Sequence, residues 1–374
     1  MSDEQIVDRF GQLLHSSVER ACRGAARVGI SLSAGLDSSS IAAIAGRRRP
    51  DTLTVTQGLP GYPEIDESTL AAELARSLGM HHHNFPADQL LPFADAELHP
   101  ICPDHPVQSP FRPWKEVSYR AMAAAGVDVC LDGGFADDLF AGDVEWVVNA
   151  IRFRRWGVLR EQLAYLLSRE GLSAMIQNTA VRRPLSRLFG RVKLHSDRLD
   201  WLRPNYRRLI EHRMDAEIRQ FRDFPRPQQC MRLLGSTAAF DASAEQWYAT
   251  RHGLEHRQPF RDHQLTRWCL SLPADLFTRQ GQRKWLLREA MRGILPETLR
   301  KRRKSSDLTP VFDAVIENRK DALEHWFDAV SASRRRFLDQ TAMGRLSGDN
   351  LAISRWLASS LGCWSQFIEN RSDP

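Results

Sequence analysis

The chain has 374 residues, 42% of them hydrophobic and 26% charged, enough to bury a sizeable core in one large or two medium domains. No run of about 18 apolar residues offers a membrane span, and the acidic start MSDEQIVDRF lacks the apolar stretch of a secretory signal. The six cysteines are scattered without a CxxC pair, as expected of free thiols in a reducing cytoplasm rather than of a disulfide frame or zinc site.

The net charge of +6 is unevenly spread. Residues 151–235 hold 18 Arg and one Lys against eight acids, a balance of +11, so the rest of the chain sums to −5 by subtraction. Such a block suits nucleic acid or an acidic peptide. Apolar residues at helical spacing run through it, however, which favours the solvated outer face of a helical layer.

In chain order, the first twenty-odd residues are predicted helical, with Ile6, Phe10, Leu13 and Leu14 on one side. Arg27–Leu32 reads as a short apolar strand running into Ser33-Ala34-Gly35-Leu36-Asp37-Ser38-Ser39-Ser40, and an apolar helix from Ile41 to Ala45 follows. A second strand, Thr52–Thr56, is closed by the turn Gly58-Leu59-Pro60-Gly61. Asp66 and Ser68 cap a helix to about Leu78 that stops at Gly79, and His82–Phe85 is extended. A proline-rich loop from Pro100 to Pro113 leads into a helix to about Ala125 and a buried strand, Val127–Leu131. Beyond about residue 145 helices and loops are expected, and no strand. Alternating strands and helices imply an α/β fold, a parallel twisted sheet flanked by helices, with a helical C-terminal half packed on it. The expected division is an N-terminal helix at 1–26, a sheet at 27–145 and a mainly helical part at 146–374.

The strand–turn–helix passage from Ser33 to Ser40 carries the most chemistry. Gly35 permits a tight turn and a close approach of backbone to phosphate. Ser33, Ser38 and Ser39 offer hydroxyls, and the helix beginning near Asp37 points free N–H groups at an anion. It is neither a Walker loop nor a GxGxxG fingerprint. A serine-rich loop without lysine suits a released pyrophosphate with Mg²⁺ supplying positive charge, and Asp37 is placed to hold that metal. The alternative is an ordinary polar turn with a capped helix. The triplet His81-His82-His83 is not read as a zinc site, because neighbours in a strand point to opposite faces.

SAGLDSSS resembles the SGGLDSS pyrophosphate loop of the ATP-pyrophosphatase superfamily, in its asparagine synthetase branch. Further stretches follow in the order of that branch. Ile65-Asp66-Glu67-Ser68 through Leu78-Gly79-Met80-His81-His82-His83 is similar to its helix ending in LGxxHH. Residues Leu131 to Gly142, LDGGFADDLFAG, resemble LSGEGADELFGG. Gly253 to Asp262, then Leu287-Arg288-Glu289-Ala290 and Leu295-Pro296-Glu297, resemble its GxExRxPFxD, LREA and LPE signatures. The resemblance runs from about Val28 to Pro310 and implies a PP-loop fold related to the adenine nucleotide alpha hydrolases.

It also implies roles. ATP would lie over the carboxyl ends of the strands, with Leu32 and Val55 against the adenosine and Asp132 and Gly133 lining the nucleotide site. Ser33, Gly35, Asp37, Ser38 and Ser39 would hold the pyrophosphate, and Asp37 and Asp137 would carry Mg²⁺. A substrate carboxylate would attack the α-phosphate to give an acyl-adenylate, and an amine would then form the amide and release AMP. Only six of the 52 basic residues are lysines, which draws attention to Lys301-Arg302-Arg303-Lys304. Lys304 falls at the catalytic lysine of the family's RxK motif and ranks ahead of Lys284, which precedes Leu286-Leu287-Arg288-Glu289-Ala290. A basic helix end is the plainer reading of that run. Arg257 and Asp262 are expected to brace the sheet against the helical layer.

Three departures bear on the reaction. Ser2 stands where asparagine synthetases have a catalytic cysteine, and about 27 residues precede the first strand, so no glutaminase domain and no glutamine hydrolysis are expected. Gly134 replaces the glutamate of GEGADE, usually assigned to the incoming nucleophile. Ser305-Ser306-Asp307 replaces the GF pair after the catalytic lysine. Lasso peptide macrolactam synthetases and β-lactam synthetases share the adenylating core and use an internal amine. The expectation is therefore an amine-dependent or macrolactam-forming ligase of specialised metabolism, cytoplasmic, using ATP and Mg²⁺. It would act on a small-molecule or peptide carboxylate with an amine or ammonia, aided by any partner protein that delivers either, without membrane or nucleic acid. Ammonia-dependent asparagine formation, and a catalytically weak peptide- or RNA-binding subunit, are the alternatives.

Overall fold

In a computed structural model the chain is described over residues 1–88, 111–140, 146–177, 201–224, 226–279, 281–302 and 308–318, with shorter pieces between 90 and 109 and between 321 and 368. Helix α1, Asp3–Ala21, opens with a capping box: the Gln5 backbone N–H donates to Ser2 Oγ at 3.2 Å, and the Ser2 N–H donates to Gln5 Oε1 at 2.9 Å. Its predicted apolar stripe, Ile6, Phe10, Leu13 and Leu14, is buried together with Val18.

Five parallel strands form the sheet: β1 Val28–Ser31, β2 Leu53–Gly58, β3 His81–Pro86, β4 Val129–Leu131 and β5 Glu255–Arg257, in the spatial order β3-β2-β1-β4-β5. Ile30 sits opposite Thr54 on one side and Leu131 on the other, and Leu131 in turn opposite Arg257. Helices α2 Leu36–Gly46, α3 Ser68–Ser77 and α4 Arg112–Ala124 link the first four strands. From β1 the chain builds outward through β2 and β3, then returns to add β4 and β5 on the opposite side. That reversal opens a crevice at the carboxyl ends of β1 and β4, the place where open α/β sheets take ligands.

Both faces of the sheet are covered, as a parallel sheet requires. One core joins Phe10, Ile30, Leu131, Phe260 and Leu286; the other joins Val55, Trp114, Met122 and Tyr248. The α/β class, the flanking helices and the first four strands agree with the sequence reading. The proline-rich loop ends earlier than expected. Pro113 lies in the first turn of α4, where its missing N–H costs nothing.

After α5 Ala136–Leu139 come α6 Trp146–Arg152, α7 Trp156–Gln177, α8 Pro204–Gln220, α9 Pro227–Leu234 and α10 Ser236–Thr250. The expectation of no strand past residue 145 is corrected by β5 and by a hairpin of β6 Thr278–Arg279 and β7 Gln282–Arg283. These are two- and three-residue polar strands with no apolar alternation to announce them. Side-chain contacts made only in the fold hold β5: His256 Nε2 lies 2.9 Å from Asp132 Oδ2, and Arg257 Nη1 donates to the carbonyls of Ala21 and Arg23. Further helices are α11 His263–Ser271, α12 Trp285–Ala290, α13 Glu297–Arg300 and α14 Thr309–Asn318. No helix among the described residues is long and apolar enough to cross a membrane.

Candidate active site

A cavity of about 610 Å³ occupies the crevice, within the usual size range of small-molecule sites, roughly 300–1,000 Å³. Ser33, Ala34, Gly35, Leu36 and Asp37 form its floor at the start of α2. Thr56, Leu59, Ile65, Trp114 and Leu308 give one wall an apolar character suited to a base and ribose. Arg283, Lys284, Arg288 and Arg302 face the loop with four cations against the acids Asp37, Glu67 and Asp137.

The loop is tied by its own hydroxyls. Ser38 Oγ accepts from the Ser33 N–H at 3.1 Å and lies 3.0 Å from Ser33 Oγ, while Ser39 Oγ donates to the Ser33 carbonyl at 3.3 Å. Ser33 and Gly35 thus line the cavity, whereas Ser38 and Ser39 are buried and stiffen the turn from beneath. Gly35 has φ −69°, so it is not needed for a left-handed turn; what it provides is room, since a Cβ there would sit 3.0 Å from Ser33 Oγ. The first N–H groups of α2 have no acceptor within the helix and point along its axis towards the cavity.

The strongest electrostatic feature is a lysine between two carboxylates. Lys284 Nζ lies 2.5 Å from Asp37 Oδ2 and 2.7 Å from Asp137 Oδ1. Lys284 is itself held in the left-handed region, at φ +58°, where β7 turns into α12, a conformation that costs an L-residue free energy and clusters at functional sites. Burial pushes the Asp37 carboxyl up from its ordinary range; Lys284 opposes this, and neighbouring Asp137 adds to it. Asp37 Oδ1 is buried and has no hydrogen-bond partner among the described residues, while Asp137 is 80% exposed. A buried carboxylate oxygen with a free lone pair, beside a second acid open to solvent, fits a hard cation bound together with phosphate oxygens.

The other expected contacts are distributed differently. Leu32 and Val55 are buried in the two cores below the cavity, bonded through Leu32 N–H to the Val55 carbonyl at 2.9 Å, and their side chains do not line it. Gly133 packs against the start of α2: a Cβ there would meet the Ser38 N at 2.9 Å and Asp37 Cβ at 3.0 Å. Asp132 anchors a separate network beside the cavity. Its Oδ1 accepts from the Gly134 N–H at 2.8 Å and Gln258 Nε2 at 3.3 Å, and its Oδ2 faces His256. Although burial raises the carboxyl, His256 and Lys115 hold Asp132 well below the ordinary range. Lys115 Nζ also reaches Glu245 at 2.9 Å, and Glu245 takes further hydrogen bonds from Arg112 and Tyr119.

At Gly134 a Cβ would collide with Gln258 Nε2 and lie 2.7 Å from Asp132 Oδ1. The space of a larger side chain is filled by the Gln258 amide. The next residue, Phe135, takes the left-handed conformation at φ +74° and carries the Arg261 guanidinium over its ring. Asp262 caps α11 and pairs with Arg20 through both oxygens at 2.8 Å, so it and Arg257 grip the C-terminal end of α1.

Lys304 lies outside the described residues. The chain on either side of it, at Arg302 and Leu308, lines the cavity, and Arg302 pairs with Glu67 at 2.6 Å. Sequence reasoning missed Arg283, Arg288, Arg302 and Trp114 as lining residues and ranked Lys284 second. The usable signal was the scarcity of lysine in a chain of 46 arginines, because a lysine kept where arginine is the rule marks a need for a compact charge.

The sequence profile of the asparagine synthase family matches residues 9–365. The chain is 33% identical to the glutamine-hydrolysing asparagine synthetase of Mus musculus over 118 residues, which cover 29% of this chain and 21% of the mouse protein. It is 33% identical over 146 residues to a putative glutamine-hydrolysing asparagine synthetase of Mycobacterium tuberculosis, covering 38% of this chain and 21% of that protein. With glutamine-hydrolysing asparagine synthetase 1 of Bacillus subtilis it is 24% identical over 340 residues, 83% of this chain and 50% of the relative. The chain thus spans at most about half the length of these relatives.

Proposed function

The chain belongs to the asparagine synthase family, and we propose that it joins a carboxylate to an amine at the expense of ATP, through an acyl-adenylate, releasing AMP and pyrophosphate. The observation that carries this reading is the Lys284 ammonium set between Asp37 and Asp137 at the mouth of the serine loop. That arrangement supports cleavage between the α- and β-phosphorus, because fixed positive charge and helix N–H groups gather where pyrophosphate would leave.

In the first step an oxygen of the substrate carboxylate forms a bond to the α-phosphorus as the bond to pyrophosphate breaks. The start of α2, Ser33 and the cations Lys284, Arg288 and Arg302 line the cavity around the departing charge. Asp37 and Asp137 would hold Mg²⁺, which when bound neutralises phosphate charge; the unpartnered Asp37 Oδ1 supports that assignment. In the second step the amine nitrogen forms a bond to the acyl carbon, loses a proton, and AMP departs. Lys304 is proposed to stabilise the tetrahedral intermediate, a role supported by the cavity-lining residues on either side of it.

The acceptor is proposed to be an amine of the substrate, as in macrolactam formation in natural-product biosynthesis. Gly134 favours this, since the Gln258 amide occupies the space where a glutamate would contact ammonia. The names of the matched relatives favour asparagine formation, which we take to be ammonia-dependent, as the second reading. Exchange of labelled pyrophosphate into ATP, driven by candidate carboxylates, tests the first half of the reaction. ADP as the dominant product would overturn it, and the product mass then separates macrolactam from asparagine.

A further inference from the structure

The cationic segment left aside by this chemistry carries a surface of its own. Where α6 gives way to α7, Ile151, Phe153 and Trp156 are all exposed, Trp156 by 58%. Exposed Phe224, distant in sequence, is brought to the same place: Arg152 donates through Nη1 to the Phe224 carbonyl at 3.1 Å and through Nη2 to the Asp223 carbonyl at 3.0 Å. Four large exposed apolar residues therefore come from stretches of backbone that the Arg152 hydrogen bonds hold together, more than the scattered single residues normal on a surface.

The turn that presents them is strained. Arg154 adopts φ +54°, in the left-handed region, which only surrounding structure or function maintains in a residue with a side chain. The next residue, Arg155, points inward to the buried Asp275 at 2.8 Å. Arg154 and Arg160 remain exposed and form no ion pair among the described residues. The region thus combines an apolar centre containing Trp and Phe with unpaired guanidinium groups at its edge, the composition found where binding energy concentrates in protein interfaces.

We propose that Ile151, Phe153, Trp156 and Phe224, edged by Arg154 and Arg160, dock an acidic polypeptide segment containing aromatic residues. Charge complementarity selects the sign: the described residues of the block from 151 to 235 hold 13 Arg against six acids, a balance of +7. The apolar centre selects peptide over nucleic acid, since a strand with one phosphate per nucleotide would desolvate its charge against Ile151 and Phe224 instead of following a continuous basic groove. Guanidinium forks match side-chain carboxylates two bonds at a time. The surface also shares a support with the catalytic cavity. Helix α7 holds the β6–β7 hairpin through Gln162 Nε2, which donates to the Thr278 carbonyl at 2.8 Å, and Tyr165 closes on Gly281. That hairpin runs directly into Lys284. The inference goes beyond the amide-forming chemistry and does not depend on it.

The test is fluorescence anisotropy on the full chain at low ionic strength, using labelled random poly(Glu,Tyr), poly-glutamate and poly-uridylate. Poly(Glu,Tyr) is expected to bind tightest, with affinity reduced about tenfold by Trp156→Ala, an ordinary loss for an aromatic anchor. The double charge reversal Arg154→Glu with Arg160→Glu is expected to weaken it at least as much. Circular dichroism of each variant separates lost binding from lost fold, and all three side chains are exposed. Equal binding of poly-glutamate, tighter binding of poly-uridylate, or an unchanged affinity in folded Trp156→Ala would each overturn the proposal.

Discussion

Two lysines in this protein each stand between two carboxylates, and the two clusters behave in opposite ways. At the cavity, Lys284 bridges Asp37 and Asp137. Beside it, Lys115 reaches Glu245 at 2.9 Å and Asp132 at 3.8 Å. In the second cluster Arg112, Tyr119, His256, Gln258 and the Gly134 N–H complete the hydrogen bonds of both acids. Burial there is outweighed, and Glu245, facing Lys115 and Arg112, is held well below the ordinary carboxylate range. In the first cluster burial wins: Asp37 is pushed up, and one of its oxygens has no partner among the described residues. A saturated cluster holds a fold in place. An unsaturated one, short of cation and open on one side, is built to be completed by something that binds.

The largest expected effect follows from that contrast. Lys284→Ala should lower pyrophosphate exchange by about 10²–10³, the loss that follows removal of one fixed donor to developing charge, with little change in melting temperature because Asp37 can take up a proton. Lys115→Ala should leave exchange far closer to wild type. Equal losses of exchange in the two variants would dissolve the distinction between the clusters. Lys304→Ala should instead keep exchange and lower single-turnover amide formation, with Lys301→Ala, whose ammonium pairs among the described residues with the exposed Glu297 at 2.9 Å, as the unaffected control.

Stability should divide the other way. Glu245→Gln is expected to cost about 3 kcal/mol at neutral pH, since it leaves the buried Arg112 guanidinium without its charge partner. The Glu245 carboxyl titrates lower in the folded than in the unfolded chain. Its contribution is therefore complete above the unfolded value of about 4.5 and fades as pH falls through the range below. Denaturant curves of wild type and variant should converge as pH drops below that value. A gap that stayed constant would assign the loss to packing instead of charge.

Asp37 gives the reverse sign. Its carboxyl titrates higher in the folded chain, so the stability linked to its proton is present below the unfolded value of 3.8 and is lost as pH rises through the folded one. Asp37→Asn mimics the protonated form and should be no less stable than wild type at neutral pH, while losing exchange. A destabilised Asp37→Asn would mean that this acid, like Glu245, serves the fold.

The contrast also explains how much could be read in advance. Four strands declared themselves because Val28–Ser31, Leu53–Gly58 and Val129–Leu131 bury apolar side chains and His81–Pro86 follows a clear helix stop at Gly79. Strand β5 did not, because Glu255, His256 and Arg257 are held by Asp132, Ala21 and Arg23, which only folding brings near. The serine loop was legible as a local motif, but not that Ser38 and Ser39 turn inward. Lys284 and Asp37 are 247 residues apart, and no spacing rule connects them. Lys115 passed unnoticed for the same reason, since its partners come from the residue after β4 and from α10.

The smallest expected effect separates what the backbone at Lys284 contributes from what its ammonium contributes. At φ +58° the residue pays for a left-handed conformation, worth about 1 kcal/mol for an L-amino acid and absent for glycine. Lys284→Gly should therefore be more stable than Lys284→Ala by about 1 kcal/mol, while both lose exchange to the same extent because neither carries the charge. At Lys115 the order should invert. That residue lies within α4, Arg112–Ala124, where glycine costs about 1 kcal/mol relative to alanine. The four variants measured together by chemical denaturation give opposite signs if each lysine sits as described. If Lys284→Gly recovered exchange that Lys284→Ala lacked, backbone freedom at the turn into α12, and not the ammonium, would be what the position supplies.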